Sequence, residues 1–360
     1  MYPFCKGSAG MSKYSLIADK LKQEISQGKY SDTGKLPTEH ELTGRFDVSR
    51  QTIRQAILSL KNEGVVYQIQ GSGTYVSKPE GVRRPAVGSA FRNILVICTY
   101  LSDYIFPSII RGIESTINGT GYRLHIAATG NSVGLERKIL SDVIKLQEVD
   151  GIIVEGSKTS FPNPNIALYR EIEKLGISVV FLHCTYPELT NAVVVGMDDY
   201  AGGRMAAEKL IKAGCRRILG IFKSDDRQGL LRYAGFSDCA IEAGLNLGDI
   251  EVRWYTTEDI NDHGMTLSSG MLSVLTNSEI DGVVCYNDQV ASSLIRDMTR
   301  SGSGIPRIVS FDKSYLCEAS ALHFDSLGHR KDELGRLAAV KVRNMIEGRS
   351  ETSEYLDWTE

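Results

Sequence analysis

Seven short runs rich in β-branched residues, at 94–98, 123–127, 151–154, 178–182, 217–222, 282–286 and 307–311, recur along the later part of the chain, separated by amphipathic stretches of helical period. Continuous apolar strands of this kind fit parallel sheets covered by helices on both faces, whereas a strand with one wet face alternates. Strand and helix in alternation predict doubly wound α/β packing. With 360 residues in all, the stretch after residue 90 is long enough for about ten strands, which predicts two lobes rather than one sheet.

Ligands of such folds bind beyond the carboxyl ends of the strands. There the chain carries Tyr104 and Phe106 after the first run, Glu155 and Lys158 after the third, and His183 and Tyr186 after the fourth. Gln228 and Arg232, then Asn287 and Asp288, then Asp312 follow in the later half. Forked donors and carboxylate acceptors suit sugar hydroxyls, and an aromatic plane suits the C–H face of the ring, so these eleven residues are the candidate effector site. Taken singly, Asp288 or Asp312 is more often a helix cap than a ligand; six furnished strand ends together define a candidate cleft. Asp198–Asp199 and Asp225–Asp226 read as helix starts. Walker, G-x-S-x-G, H-E-x-x-H and metal-spaced His clusters are missing from the sequence, so neither an enzyme, a cofactor nor a metal is expected.

The first 90 residues differ in charge: they hold 13 Lys+Arg against 8 Asp+Glu, while the remaining 270 hold 28 against 36. A basic head on an acidic body predicts that only the head meets a polyanion. Ile17, Leu21 and Ile25 form one stripe of a first helix, with Gly28 placed as its cap. Thr38 and Glu41 fit a capping box opening a second helix. Ser49 caps a third, on which Ile53, Ala56, Ile57 and Leu60 share the buried face. Its opposite face presents Gln51, Arg54 and Gln55, with Arg50 and Thr52 in the first turn. Arg can bond guanine and Gln adenine in the major groove, while Ser49 and Thr52 suit phosphate oxygens. On helix pattern alone, a solvated polar face is the commoner explanation. The strands expected on either side of Gly71–Ser72–Gly73 add a β-hairpin wing, and because strand rather than helix follows the glycines, they are not a dinucleotide fingerprint.

From Lys13 to Lys78 the sequence resembles the winged helix-turn-helix of GntR-family transcription regulators, through KLPTEHEL (35–42), VSRQTIR (48–54) and QGSGTYV (70–76). The resemblance implies operator contacts from Arg50, Thr52 and Arg54 on the recognition helix and from Gln70 and Gly71 at the wing tip. Lys13 is added at the start of the first helix, and His40 stands where some members carry Arg. Residues 92–355 resemble the effector domain of LacI/GalR-type regulators and periplasmic sugar-binding proteins, through FPSIIRGIE (106–114), DDYAGG (198–203), RYAGF (232–236), CYNDQ (285–289), SFD (310–312) and ELGR (333–336). That likeness implies that Arg232 and Asp288 bind sugar hydroxyls and that the loop 104–106 lines the cleft. The pairing of the two parts resembles the arabinose-responsive repressors of Gram-positive bacteria, through 104–114 and 220–223, which implies L-arabinose or a related sugar as effector.

The expected organisation is a disordered leader over 1–11, a winged helix-turn-helix over 12–78, a linker over 79–91 marked by Pro79, Pro85, Arg83 and Arg84, and an effector-binding and dimerisation domain over 92–360 in the periplasmic-binding-protein fold. A homodimer on double-stranded operator DNA, in the cytoplasm and away from membranes, follows from this reading. The alternative, a sugar-binding transport or chemoreceptor protein, fits neither the basic head nor a leader without an apolar signal segment. Seven scattered cysteines read as reduced, buried thiols. His329–Arg330–Lys331 departs from a frequent His-Pro-Lys, and the sequence is expected to stop inside its last strand.

Overall fold

The computed structural model describes residues 13–26, 29–30, 34–62, 65–69, 73–76, 92–102, 104–261, 264–265, 275, 279–320 and 323–360. They divide into two units, residues 1–82 and 83–360.

The first unit packs α1 (Lys13–Ser26), α2 (Glu39–Phe46) and α3 (Arg50–Asn62) against a hairpin of β1 (Val66–Ile69) and β2 (Gly73–Val76). Its core holds the residues expected from period, Ile17, Leu21, Leu42, Ile53, Ala56, Ile57 and Leu60, all buried, with Ile25 only half-buried and Phe46 at the end of α2 buried as well. The Thr38–Glu41 capping box forms in both directions, and Asp47 closes α2 in the left-handed region at φ 52°. The segment before α2 joins the wing, with Leu36 N–H donating to Thr74 C=O (2.8 Å) and Val76 N–H to Gly34 C=O (2.9 Å). Glu24 of α1 accepts from Tyr30 Oη (2.6 Å), Lys29 Nζ (3.1 Å) and Arg45 of α2. Burial would raise this carboxyl, but the bonds from Arg45, Tyr30 and Lys29 hold it down at about 2.

The second unit holds two parallel sheets. The first is formed by β3 (Arg92–Cys98), β4 (Tyr122–Ala128), β5 (Gly151–Val154), β6 (Ser178–Leu182), β7 (Val193–Met197) and β15 (Glu354–Leu356), in the order β15-β7-β6-β5-β3-β4. The second has β8 (Ile218–Lys223), β9 (Ile250–Tyr255), β12 (Gly282–Cys285), β13 (Arg307–Asp312) and β14 (Asp325–Gly328), in the order β14-β13-β12-β8-β9. A two-residue ribbon, β10 (Ile260–Asn261) with β11 (Gly264–Met265), lies apart from both. Helices α4 (Phe106–Ile117), α5 (Val133–Leu146), α6 (Ile166–Lys174) and α11 (Lys331–Ile346) belong with the first sheet; α7 (Asp199–Lys212), α8 (Arg227–Glu242), α9 (Asp288–Ser301) and α10 (Tyr315–Ala319) belong with the second. The doubly wound, two-lobed expectation holds.

Two details differ from the sequence reading. Strand β4 alternates in burial because it is the outer edge of its sheet, with no strand beyond it. Near the end of the sequence β15 pairs with β7 in the first sheet, and Thr359 then exchanges backbone hydrogen bonds with Gly328 of the second at 2.7 and 3.1 Å. The chain thus crosses between lobes at 198–199, 329–331 and 357–359. Among the described cysteines none is bridged, and burial lifts the Cys98 thiol to about 12, as expected for a packed, reduced side chain.

Helices α7 and α8 lie in backbone contact, because a Cβ on Gly203 would strike the carbonyl of Arg232 and one on Gly235 the carbonyl of Tyr200. That close approach sets the spacing between the side chains of Asp199 and Arg232.

Glu24→Gln should lower the thermal midpoint of the first unit at neutral pH. A carboxyl depressed in the folded state stabilises above its unfolded value and loses that effect as pH falls through about 2. The gap between wild type and variant, followed by circular dichroism, should therefore be full above about pH 5 and shrink through the acid range.

Candidate functional site

The first unit offers one polar face. Ser49 Oγ accepts from Thr52 N–H (3.2 Å) and shares a hydrogen bond with Thr52 Oγ1 (2.9 Å), so α3 begins where the sequence placed it. Arg50, Gln51, Arg54 and Gln55 are exposed and Thr52 half-buried. Arg54 leans back on Glu39 of α2 at 3.2 Å but keeps 73% of its side-chain surface. His40 is exposed on α2, and Lys13 opens α1. Gln70 and Gly71 lie outside the described residues. Arg and Gln side chains project from the first turns of a helix whose end carries positive dipole, an arrangement that suits phosphates and base edges.

In the second unit the sequence-predicted residues converge between the lobes. Tyr104 Oη donates to Asp312 Oδ2 (2.7 Å) and accepts from the backbone N–H of Asp288 (3.1 Å). Lys158 pairs with Glu258 and lies 3.7 Å from Asp225. Thr159 Oγ1 donates to Asp226 (3.2 Å) and accepts from Arg227 N–H (3.0 Å), and Asn131 Nδ2 donates to Thr257 (2.5 Å). The lobes are closed on each other through these polar contacts. Three strand ends that carry these contacts, and the turn after β6, hold a non-glycine residue at positive φ: Asn131 (56°), Lys158 (50°), Asp312 (93°) and His183 (63°). Left-handed backbone at such residues costs about 1 kcal/mol or more and persists where the surroundings enforce it, commonly at ligand sites.

Deeper in, Arg232 is 2% exposed. Its Nε donates to Asp199 (2.9 Å) and its Nη1 to the Tyr286 carbonyl (2.5 Å), while its guanidinium lies 4.4, 4.7 and 4.9 Å from the ring centres of Phe311, Tyr286 and Trp358. Burial raises the Asp199 carboxyl and Arg232 opposes that rise. His183 sits 4.0 Å from Glu155 and 5.5 Å, ring to ring, from His329, whose other neighbour is Trp358 at 5.5 Å. Asp199 Oδ2, Ser310 Oγ, Trp358 Nε1 and all four imidazole nitrogens of His183 and His329 are buried without a hydrogen-bond partner among the described residues. Buried polar groups without a protein partner take one from water or a ligand.

The remaining predicted residues are held by partners of their own, Glu155 and Asp288 at the lobe boundary and the others behind it. Glu155 is tied to Thr99 through N–H (2.8 Å) and Oγ1 (2.5 Å). Asp288 accepts from Ser314 N–H (2.7 Å), Ser314 Oγ (2.8 Å) and Ser326 Oγ (2.6 Å); burial and the neighbouring Asp312 raise its carboxyl against those bonds. Asn287 caps α9 through Val290 N–H (3.1 Å), Gln228 is buried in the first turn of α8, and Phe106 enters the apolar core. Tyr186 departs from expectation: its hydroxyl donates toward Glu136 (2.7 Å) and the Ser157 carbonyl (2.9 Å) within the first lobe. Glu136, wholly buried, also takes Tyr169, Asn163, Asn165 and Ser157, so the tyrosine completes an internal carboxylate hub rather than the cleft.

Asp199, Tyr286, Phe311, His329 and Trp358 were missed. Asp199 is more than the helix start the sequence suggested: Asp198 does that work, accepting from Ala201 N–H (2.9 Å), and frees its neighbour for Arg232. The signal was the doubled aspartate, since a cap needs only one. Nothing local in the sequence marks Trp358, which arrives by the return of the chain beside β7.

A winged helix-turn-helix with an exposed Arg/Gln face, in one chain with a two-lobed domain whose cleft is polar and aromatic, defines a DNA-binding regulator governed by a small hydroxylated ligand. Residues 13–76 match the model for bacterial regulatory proteins of the gntR family, and residues 92–355 match that for periplasmic binding proteins and the sugar-binding domain of the LacI family. The chain is 37% identical to the arabinose metabolism transcriptional repressor of Halalkalibacterium halodurans, over 93% of this chain and 90% of that one. It is 35% identical to the repressor of the same name from Geobacillus stearothermophilus, over 94% and 93%. The second unit shares its fold with a LacI-type regulator from Alkaliphilus metalliredigens crystallised with D-xylulofuranose (TM-score 0.62, 22% identity, 74% of this chain and 96% of that one). The chain belongs to the family of the arabinose metabolism transcriptional repressors.

Asp199→Ala should destabilise the second unit by about 3–5 kcal/mol in urea unfolding, because it strands a buried guanidinium. The loss should be smaller for Asp198→Ala, which removes only a cap worth about 1 kcal/mol.

Proposed function

We propose that this chain represses transcription by gripping operator DNA through residues 12–78 and lets go when L-arabinose or a related pentose occupies the cleft of residues 92–360, the stretch 79–91 linking the two. The observation that carries the reading is the ring of buried, partly unmatched polar groups around Arg232, set where two lobes close through polar contacts. A monosaccharide supplies hydroxyls to both lobes at once, so it binds the closed form better than the open one. Such a difference in affinity is what moves a conformational equilibrium, and about 5.5 kcal/mol of it turns a 1:99 population into 99:1.

On the DNA side, Arg50, Gln51, Thr52 and Arg54 read or clamp the major groove; Lys13, His40 and Ser49 serve the backbone, and Gln70 with Gly71 the wing contact. On the sugar side, Tyr104, Glu155, Lys158, His183, Arg232, Asp288 and Asp312 form the cleft, with Phe106, Gln228 and Asn287 behind them. The protein works by binding and without turnover, as a cytoplasmic homodimer on paired half-sites. Among the described residues no helix is long and apolar enough to cross a membrane.

Operator fragments selected from random-sequence duplex and tested by gel shift at two salt concentrations, with and without L-arabinose, check this reading. Saturating sugar should release the DNA, and Arg54→Ala should relax sequence preference by about 1–3 kcal/mol at one position while leaving the response to sugar intact. Operator affinity indifferent to the sugar would refute the reading.

A further inference from the structure

Glu136, in the first turn of α5, is wholly buried, and among the described residues no cation pairs with it. Five neutral donors surround it instead. Oε1 accepts from Tyr186 Oη (2.7 Å), Tyr169 Oη (2.9 Å) and Ser157 N–H (3.1 Å), and Oε2 from Asn165 Nδ2 (2.8 Å) and Asn163 Nδ2 (2.9 Å). Ser157, Asn163 and Asn165 belong to the loop 155–165 between β5 and α6, which is neither helix nor strand. Burying a carboxylate is costly unless hydrogen bonds satisfy it, and a hub satisfied throughout fixes one arrangement of the groups around it. Gly156 admits the Tyr186 hydroxyl, since a Cβ there would lie 2.9 Å from it.

The two residues that follow Ser157 face the other lobe. Lys158, at φ 50°, pairs with Glu258, and Thr159 Oγ1 bonds both Asp226 (3.2 Å) and Arg227 N–H (3.0 Å). Lys158 N–H donates to Asn131 (2.8 Å), whose Nδ2 reaches Thr257. We infer that Glu136 is a positioning residue for lobe closure: from the interior of the first lobe it holds Ser157 so that Lys158 and Thr159 meet the second lobe, and so sets how tightly the effector is retained. This rests on the repressor reading given above and adds to it a residue that touches neither the sugar nor the second lobe. The Thr159 contacts sit near 3 Å, and a hydrogen bond weakens steeply once its distance or angle drifts. A loop released from its hub therefore forfeits the contacts of the next two residues even where the lobe itself stays folded.

The chemistry of the place asks for a carboxylate. Its two oxygens accept along about four lone-pair directions and donate nothing, whereas an amide has one accepting oxygen and would turn its own N–H groups toward the amides of Asn163 and Asn165. Glu136→Gln keeps the size and shape of the side chain and sets donor against donor on the Oε2 side. Tyr169 and Tyr186 are also packed in the apolar cluster of the lobe, so the loop rather than the sheet takes up the mismatch.

The test is a double-mutant cycle read by calorimetric titration of the full chain with L-arabinose. It takes wild type, Glu136→Gln, Thr159→Ala and the two combined, with thermal midpoints and gel shift on sugar-free protein as fold controls. We expect Glu136→Gln to weaken sugar binding roughly tenfold and Thr159→Ala roughly threefold to fivefold. The combined variant should bind about as well as Glu136→Gln alone, because both changes break one chain of contacts. A purely structural Glu136 would lower the midpoint without this coupling. Should Glu136→Gln fail to fold, Asn163→Ala, which withdraws one donor and keeps the carboxylate, enters the same cycle with a loss of roughly threefold. Wild-type affinity in the hub variant, or losses that multiply with that of Thr159→Ala, overturns the inference while the repressor reading stands. If wild type binds neither L-arabinose nor any other monosaccharide, both are overturned.

Discussion

The second unit is organised around one buried cation. Removing the Arg232 guanidinium from water costs several kcal/mol, and the fold offsets this with the Asp199 carboxylate, the Tyr286 carbonyl and three aromatic faces. Those partners come from separate segments: Asp199 follows β7, Tyr286 follows β12, Phe311 belongs to β13 and Trp358 follows β15. Two of the three segments that pass between the lobes are thus fastened to a single side chain of α8. Gly203 and Gly235 make the fastening possible by letting α7 and α8 touch.

Around this anchor the lobes meet through Tyr104 and Asp312, Asn131 and Thr257, Thr159 and Asp226, and Lys158 with Glu258. Each of these exchanges with water on opening, so each is worth about 1 kcal/mol net rather than the several that apolar burial would give. The interiors of the lobes are fixed by their apolar clusters; the surface between them is adjustable. A rigid hinge centre with a weakly held rim is what a ligand of modest size needs in order to choose between two arrangements.

Much of the fold was legible because it rests on local period. The buried faces of α1 and α3 follow from four-residue steps, the Thr38–Glu41 box from side-chain reach, and the central strands from runs apolar on both faces. Strand β4 read as one of those runs, yet half of it is wet, since edge or centre is a property of sheet order rather than of the strand's own residues. The cleft was legible only in outline. Tyr104, Lys158, His183, Arg232, Asp288 and Asp312 meet at strand ends as the doubly wound topology requires. Tyr186 came from the same rule but turned inward, because a buried Glu136 needed another donor.

The sequence by itself indicated seven of the eleven strands in the two sheets, their parallel arrangement, the exposed Arg/Gln face of α3 and the identity of the strand-end residues, because each depends on spacing within a few residues or on a topology rule that admits few solutions. Only the tertiary structure decided which strand-end side chains look into the cleft, that one of two adjacent aspartates would hold Arg232, and that His183, His329 and Trp358 would share a site. Those outcomes depend on contacts between residues tens to hundreds of positions apart, whose geometry is set by how two sheets close and where the chain returns across the hinge.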